Sequence, residues 1–178
     1  VEDEFVPALE VVGDLEPKTV LEVGTASGGS LFSWAQVAHS EARLVSLDLL
    51  GGPGKAGYTR EYARRLGQFC ASGQSLSCIL GRSQSPYIVR QVKSILDPGS
   101  VDLLYIDADH TYEAVKLDFE NFSPLVRPGG LIVFHDVCHP ENHPVCAPPG
   151  GVDRFWNEVK QHYEHREIVR DEEDGAHY

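Results

Sequence analysis

Two groupings of acids and histidines carry the most legible chemistry in this sequence. The first is Asp107, Asp109 and His110 in YIDADHTY; the second is His135 and Asp136 in VFHDV. Each follows a short apolar run, which places both groupings at strand tips. Imidazole titrates at about 6.5 and exchanges a proton near neutral pH when it is held in place. His110 and His135 are therefore the candidate catalytic bases, suited to taking the proton of a hydroxyl under attack. Either is also readable as a structural histidine bonded to a neighbouring carboxylate. The acids offer a second chemistry. Asp107 and Asp136 are candidate ligands for a hard divalent cation, magnesium or calcium, which accepts one or two carboxylates and completes its shell with water and substrate oxygens.

Two further stretches hold reactive side chains. Cys138, His139, His143 and Cys146 lie close together in HDVCHPENHPVC, and all four types bind zinc. Their spacing is not that of a finger, since an adjacent Cys-His pair does not easily hold one ion. A proline-rich substrate loop is the plainer reading. In GGPGKAGYTRE, a glycine-rich loop from Gly51 to Glu61, Lys55, Tyr58 and Arg60 would touch a ligand if the loop acts as a lid.

The third candidate site is the stretch TVLEVGTASGGS, where an apolar run ends in Glu22 and Gly24 and leads to a helical pattern at Ser30. Glycine lets a backbone approach a ligand closely, and the helix that follows offers free N–H groups. A dinucleotide cradle would need glycine at position 26, which is alanine, and a P-loop would need a lysine after Gly28 or Gly29. Glu22 would sit poorly beside a pyrophosphate and well beside an ammonium group. The next strand tip carries Asp48, where a ribose diol is commonly held. In ILGRSQS, Gly81 and Ser83 can line an adenine pocket.

The elements that must position these groups alternate in type. Val20–Val23, Leu44–Leu47, Cys78–Leu80, Leu103–Ile106 and Leu131–Phe134 read as strands, apolar on consecutive residues as expected when both faces are covered. Helical patterns occupy Phe5–Val12, Ser30–Ala38, Tyr58–Ala71, Pro86–Leu96, Tyr112–Val126 and Asp153–Tyr163, and Glu167–Val169 reads as a further short strand. The alternation implies one α/β domain over residues 1–178, with a doubly wound, mostly parallel sheet.

Composition narrows the partners. A net charge of −12 argues against nucleic acid and against an anionic membrane, both of which call for basic surface. No apolar run approaches the roughly 18–20 residues of a membrane span. Four cysteines in 178 residues do not make a disulfide framework, so a reducing cytoplasm is the expected location. The expected partner is a small-molecule acceptor, with self-association into a homo-oligomer left open.

An amine-compatible turn, a ribose carboxylate and an adenine wall together describe S-adenosylmethionine. The motifs VLEVGTASGGS, LVSLDL and YIDADHTYEAVKLDFENFSPLVRPGGLIVFHDV resemble the class I S-adenosylmethionine-dependent methyltransferases, in the branch that includes macrocin-type sugar O-methyltransferases and cephalosporin-hydroxylase-like proteins. The resemblance implies a Rossmann-like fold and methylation of a hydroxyl on a sugar or secondary metabolite. It implies that Glu22, Gly24, Gly28 and Ser30 hold the methionine end, Asp48 the ribose and Ser83 the adenine side, with Thr25 and Asp107 completing the cofactor set. Likeness to the cation-dependent O-methyltransferases implies Asp107 and Asp136 as two of three cation-ligand positions, with Val137, which cannot ligate, at the third. Arg82 departs from the acid common beside the adenine, and the family's final strand is expected after GAHY, where the sequence ends. Alternatives are a non-catalytic cofactor-binding module and an NAD-dependent oxidoreductase, the latter opposed by Ala26 and Glu22. A hydrolase would need a G-x-S-x-G elbow, which is absent.

Overall fold

The computed structural model describes residues 2–49, 59–137 and 150–168. The elements run α1 (Glu2–Leu15), β1 (Thr19–Val23), α2 (Gly29–Val37), β2 (Arg43–Asp48), α3 (Arg60–Leu66), β3 (Ser75–Leu80), α4 (Pro86–Lys93), β4 (Val101–Ile106), α5 (Tyr112–Phe122), β5 (Val126–Phe134) and α6 (Val152–Val159). The strands form one parallel sheet in the order β3-β2-β1-β4-β5. The consecutive apolar residues are explained by packing on two faces. Val20, Leu44, Leu103 and Tyr105 point to α1 and α2, where Val12, Leu31 and Trp34 meet them. Leu21, Val45, Leu104 and Ile106 point the other way, to Ile88, Val92, Val115, Phe122 and Phe155 of α4, α5 and α6. Among the described residues no helix is long and apolar enough to cross a membrane.

The direction of winding reverses between β1 and β4, the position at which such sheets open a crevice beyond the strand tips. The tips are stitched together across it. Gly24 N–H donates to the Leu47 carbonyl at 2.8 Å, Asp107 N–H to Val23 at 2.8 Å, and His135 N–H to Ile106 at 3.2 Å. Every candidate residue of the first turn and of the two acid–histidine groupings thus stands on one rim.

Two expectations are corrected. The helix expected over Tyr112–Val126 stops at Phe122, and a 3-10 turn at Ser123–Leu125 follows, where Pro124 cannot continue the α-helical ladder. Val126 instead opens β5, pairing with Val101, and the register slips before Leu103 meets Leu131, so that Pro128, Gly129 and Gly130 ride over an irregularity in the strand. The tail around Glu167 is not strand. The Glu167 carboxylate accepts from Trp156 Nε1 at 2.6 Å and from Lys160 Nζ at 2.7 Å, and these bonds hold the segment against α6. Val169 lies outside the described residues, as do Lys55, Tyr58, Cys138, His139, His143 and Cys146. Arg60 opens α3.

Candidate active site

The first turn is built by backbone conformations that its residue types permit. Gly24 has φ +92°, and a Cβ there would stand 2.1 Å from the Asp107 carbonyl oxygen, so only glycine lets the turn close against the tip of β4. Gly28, φ +77°, caps α2 and packs where a Cβ would meet Leu66 at 2.4 Å. Thr25 is buried, with its hydroxyl bonded to that of Ser46. Asp48 reaches across from β2: its Oδ2 accepts from the N–H groups of Thr25 (3.1 Å) and Ala26 (2.5 Å), and its Oδ1 from Leu49 (2.6 Å). The carboxylate assigned to a ribose therefore also holds the turn in shape.

Glu22 lies beneath this turn with no solvent exposure. Its Oε1 accepts from the Ser30 hydroxyl at 3.2 Å, while Oε2 is buried without a partner. Burial pushes its carboxyl up to about 8, against the pull of Thr25 and Ser30 and with help from Asp107 and Asp48. A buried acid left half-satisfied in this way is completed by a proton or by an incoming cation.

The rim of β4 and β5 is the opposite case. His110 Nε2 lies 3.1 Å from Asp107 Oδ1 and its Nδ1 3.2 Å from Asp136 Oδ2; His135 Nδ1 lies 3.4 Å from Asp107 and 3.1 Å from Asp136. Two carboxylates and two imidazoles form one cluster, and the Tyr105 hydroxyl donates to Asp107 Oδ2 at 3.1 Å. Asp136 adopts φ +56°, a left-handed conformation that aspartate tolerates and that residues at working sites often hold. Hydrogen bonds to Asp107 and then Asp136 push His110 up to about 9 and His135 up to about 10, against burial. The same bonds hold Asp136 well below the usual carboxylate range, and they outweigh burial at Asp107. Near neutral pH the cluster is thus a set of imidazolium–carboxylate pairs, titrating as a unit.

Beside it lies a cavity of about 420 Å³ lined by Asp109, His110, Thr111, Tyr112, Glu113 and Arg154, with Gly150 and Gly151. The Arg154 guanidinium stands 4.0 Å over the Tyr112 ring, and the Tyr112 hydroxyl donates to Glu158 at 2.6 Å. A divalent cation fits the rim poorly. The carboxylates of Asp107 and Asp136 are taken up by the rings, Val137 adds nothing, and among the described residues no group of three or more His, Cys, Asp or Glu is arranged to hold a metal ion.

Residues 21–137, which span the first turn, Asp48, Ser83 and both rim groupings, match the family model described as a methyltransferase domain. The chain belongs to this methyltransferase-domain family. It is 29% identical over 153 residues to an uncharacterized protein of Sinorhizobium fredii, covering 84% of this chain and 16% of that one. It is 24% identical over 173 residues to a rhamnosyl O-methyltransferase of Mycobacterium leprae, covering 93% and 70%. The chain spans 51% of the length of a further relative from Acanthamoeba polyphaga mimivirus. The fold matches that of an O-methyltransferase from Bacillus cereus solved in complex with SAH, with a TM-score of 0.64 at 20% identity, over 90% of this chain and 69% of that one. Among the buried polar residues that no motif marks is Asp118, on the core face of α5, bonded to Gln84 beside Ser83. Its signal was a charge standing between Val115 and Phe122 on a helix face that is otherwise apolar.

Proposed function

We propose that this chain binds S-adenosylmethionine in the first-turn crevice and methylates a hydroxyl of a small, polar molecule, a sugar or a glycosylated metabolite. The observation that carries the reading is the unpartnered, fully buried Glu22 oxygen under a glycine turn, which suits the ammonium group of an amino acid. Glu22, Gly24, Thr25, Gly28 and Ser30 would hold the methionine end, Asp48 the ribose and Ser83 the adenine side, with Asp107 packed against Gly24 between crevice and rim. When bound, the cofactor supplies an electrophilic methyl on a sulfonium.

The chain's own residues then have two tasks. The polar cavity beside His110 receives the acceptor, and its mix of acids, Arg154 and hydroxyls matches a ligand with many hydroxyl groups. The His110–Asp107–His135–Asp136 cluster takes the hydroxyl proton. Because both rings hold their protons at neutral pH, the base form becomes available as pH rises toward about 9, and positive charge in the crevice favours losing a proton from the cluster. The rhamnosyl O-methyltransferase among the relatives supports a deoxysugar hydroxyl as the acceptor.

The test is formation of S-adenosylhomocysteine from S-adenosylmethionine with a panel of acceptors that includes rhamnosides, free sugars and catechols. Turnover confined to glycosides supports the sugar reading, and turnover confined to catechols replaces it. Tight nucleoside binding without turnover on any acceptor favours a non-catalytic module.

A further inference from the structure

Asp118 stands where α5 has every reason to place an apolar side chain. Val115 and Phe122 flank it in the core, and Asp118 itself is 0% exposed. Both of its carboxylate oxygens accept from the side-chain amide of Gln84, each at 3.0 Å, and the Ser83 hydroxyl bonds to it as well. Gln84 in turn accepts from Arg82 Nε at 3.1 Å, and the Arg82 guanidinium lies 3.9 Å from Asp109. Ser85 N–H donates to the Arg82 carbonyl at 2.9 Å, which closes the turn into α4. This polar chain connects the turn after β3 to the helix after β4. Those two strands are not neighbours, because β2 and β1 lie between them. The chain therefore bridges the two halves of the sheet on either side of the winding reversal.

We propose that Asp118 is a positioning residue for the nucleoside end of the crevice: ionised, it holds the Ser83–Gln84 wall in the shape that receives adenosine, and protonated, it lets the wall go. The proposal rests on the cofactor reading above. A carboxylate is suited to this task and an amide is not. Two acceptor oxygens take the Gln84 amide hydrogens and the Ser83 hydroxyl, whereas asparagine would turn one N–H against another.

The electrostatics oppose a purely structural role. Burial pushes the Asp118 carboxyl up to about 6, against Ser83 and Gln84; Asp109 on the β4 side adds to the rise, and Arg82 on the β3 side counters it. A carboxyl raised in this way contributes stability below its unfolded value, and that contribution is lost as pH rises through about 6. At neutral pH the ionised group weakens the fold, and asparagine would relieve it. Stability and positioning thus point in opposite directions for Asp118→Asn.

The experiment uses the full chain and two variants, Asp118→Asn and Gln84→Ala, the second breaking the same bond without touching the core. S-adenosylhomocysteine is titrated into each by calorimetry between pH 5 and 8, alongside melting temperature and amide exchange over residues 81–86. Expected at pH 7.5 is binding weakened about tenfold in both variants, the scale of a lost charge-assisted hydrogen bond. Asp118→Asn should melt no lower than the parent, and its 81–86 amides should exchange faster. Glu22 holds its proton more firmly as pH falls in every form, so both should lose affinity, and the parent should lose it more steeply through pH 6 than Asp118→Asn. Unchanged affinity and exchange in the variants, or parent and Asp118→Asn affinities that fall in parallel across pH 6, overturn the proposal. Should the parent itself not bind S-adenosylhomocysteine, the cofactor reading fails on its own. Amide exchange still decides the positioning role, with equal rates in parent and variants overturning it.

Discussion

The crevice holds a buried carboxylate and the rim two half-buried ones, and the two regions handle them in opposite ways. Glu22 has only hydroxyl partners and no cation under the first turn, so burial dominates and its proton is held up to about 8. Asp107 and Asp136 share His110 and His135, so hydrogen bonding dominates and they stay ionised. The difference teaches what each region awaits. The crevice keeps a buried carboxyl oxygen without a partner, which under the proposed function meets the ligand's ammonium group. The rim already has its cations, bound as imidazolium, and under the proposed function it takes the acceptor's proton once a ring has given up its own.

The comparison breaks most visibly at the rim. Replacing either ring removes a member of a coupled unit, and His110→Ala, at the border of the acceptor cavity, should lower turnover by about 10²–10⁴-fold, the usual contribution of a positioned base. S-adenosylhomocysteine affinity should hardly move, since the loss falls on the transition state. Single-turnover rates for His110→Ala and His135→Ala measure this. A wild-type rate for His110→Ala with a collapsed rate for His135→Ala would move the proton to the β5 ring.

At the crevice, Glu22→Gln should weaken S-adenosylhomocysteine binding by about 10–100-fold, the range for losing a hydrogen bond to a charged group. The same change should raise the melting temperature at pH 9. Asp48→Ala should weaken binding by about 1–3 kcal/mol, because ribose hydroxyls and turn amides lose their acceptor together. Equal affinity in either variant, read by calorimetry, would remove that residue from the cofactor site.

A smaller effect concerns stability against pH. The raised values of Glu22, His110 and His135 all give the same sign. Each contributes stability in full below its unfolded value, and the contribution disappears as pH rises through about 8, 9 and 10. Melting temperature should therefore decline from pH 6.5 to 10, and Glu22→Gln should remove the first part of that decline. The smallest expected effect is that of a chelator. The rim is neutralised by its own histidines, so turnover should survive chelation unchanged. A rate lost to chelator and restored by magnesium or calcium would instead assign Asp107 and Asp136 to a cation.

These contrasts were partly legible in the residues alone. β1, β2 and β4 announced themselves because apolar side chains on both faces leave almost no polar interruption, and Glu22 stood out as an acid at the end of such a run, just before the glycine turn. The start of β5 was hidden because Pro128, Gly129 and Gly130 carry turn chemistry, and only the register slip against β4 accommodates them. His110 and His135 were legible as rim residues, but not their sharing of the same two aspartates. That sharing depends on the left-handed backbone of Asp136 and on the parallel pairing of β4 with β5. Asp118 was passed over because helical periodicity marks a face, and a single charge on that face gains meaning only once Gln84, from a distant strand tip, is seen against it.

The most direct measurement of the central claim is the proton balance of cofactor binding. S-adenosylhomocysteine is titrated into the protein at pH 7 in buffers of different ionisation heat. Expected is binding with release of about one proton, as Glu22 ionises to meet the ligand's ammonium, and loss of that release in Glu22→Gln. Binding with no proton released, or a protein that binds NAD and not S-adenosylhomocysteine, contradicts the assignment of Glu22 and the crevice to this cofactor.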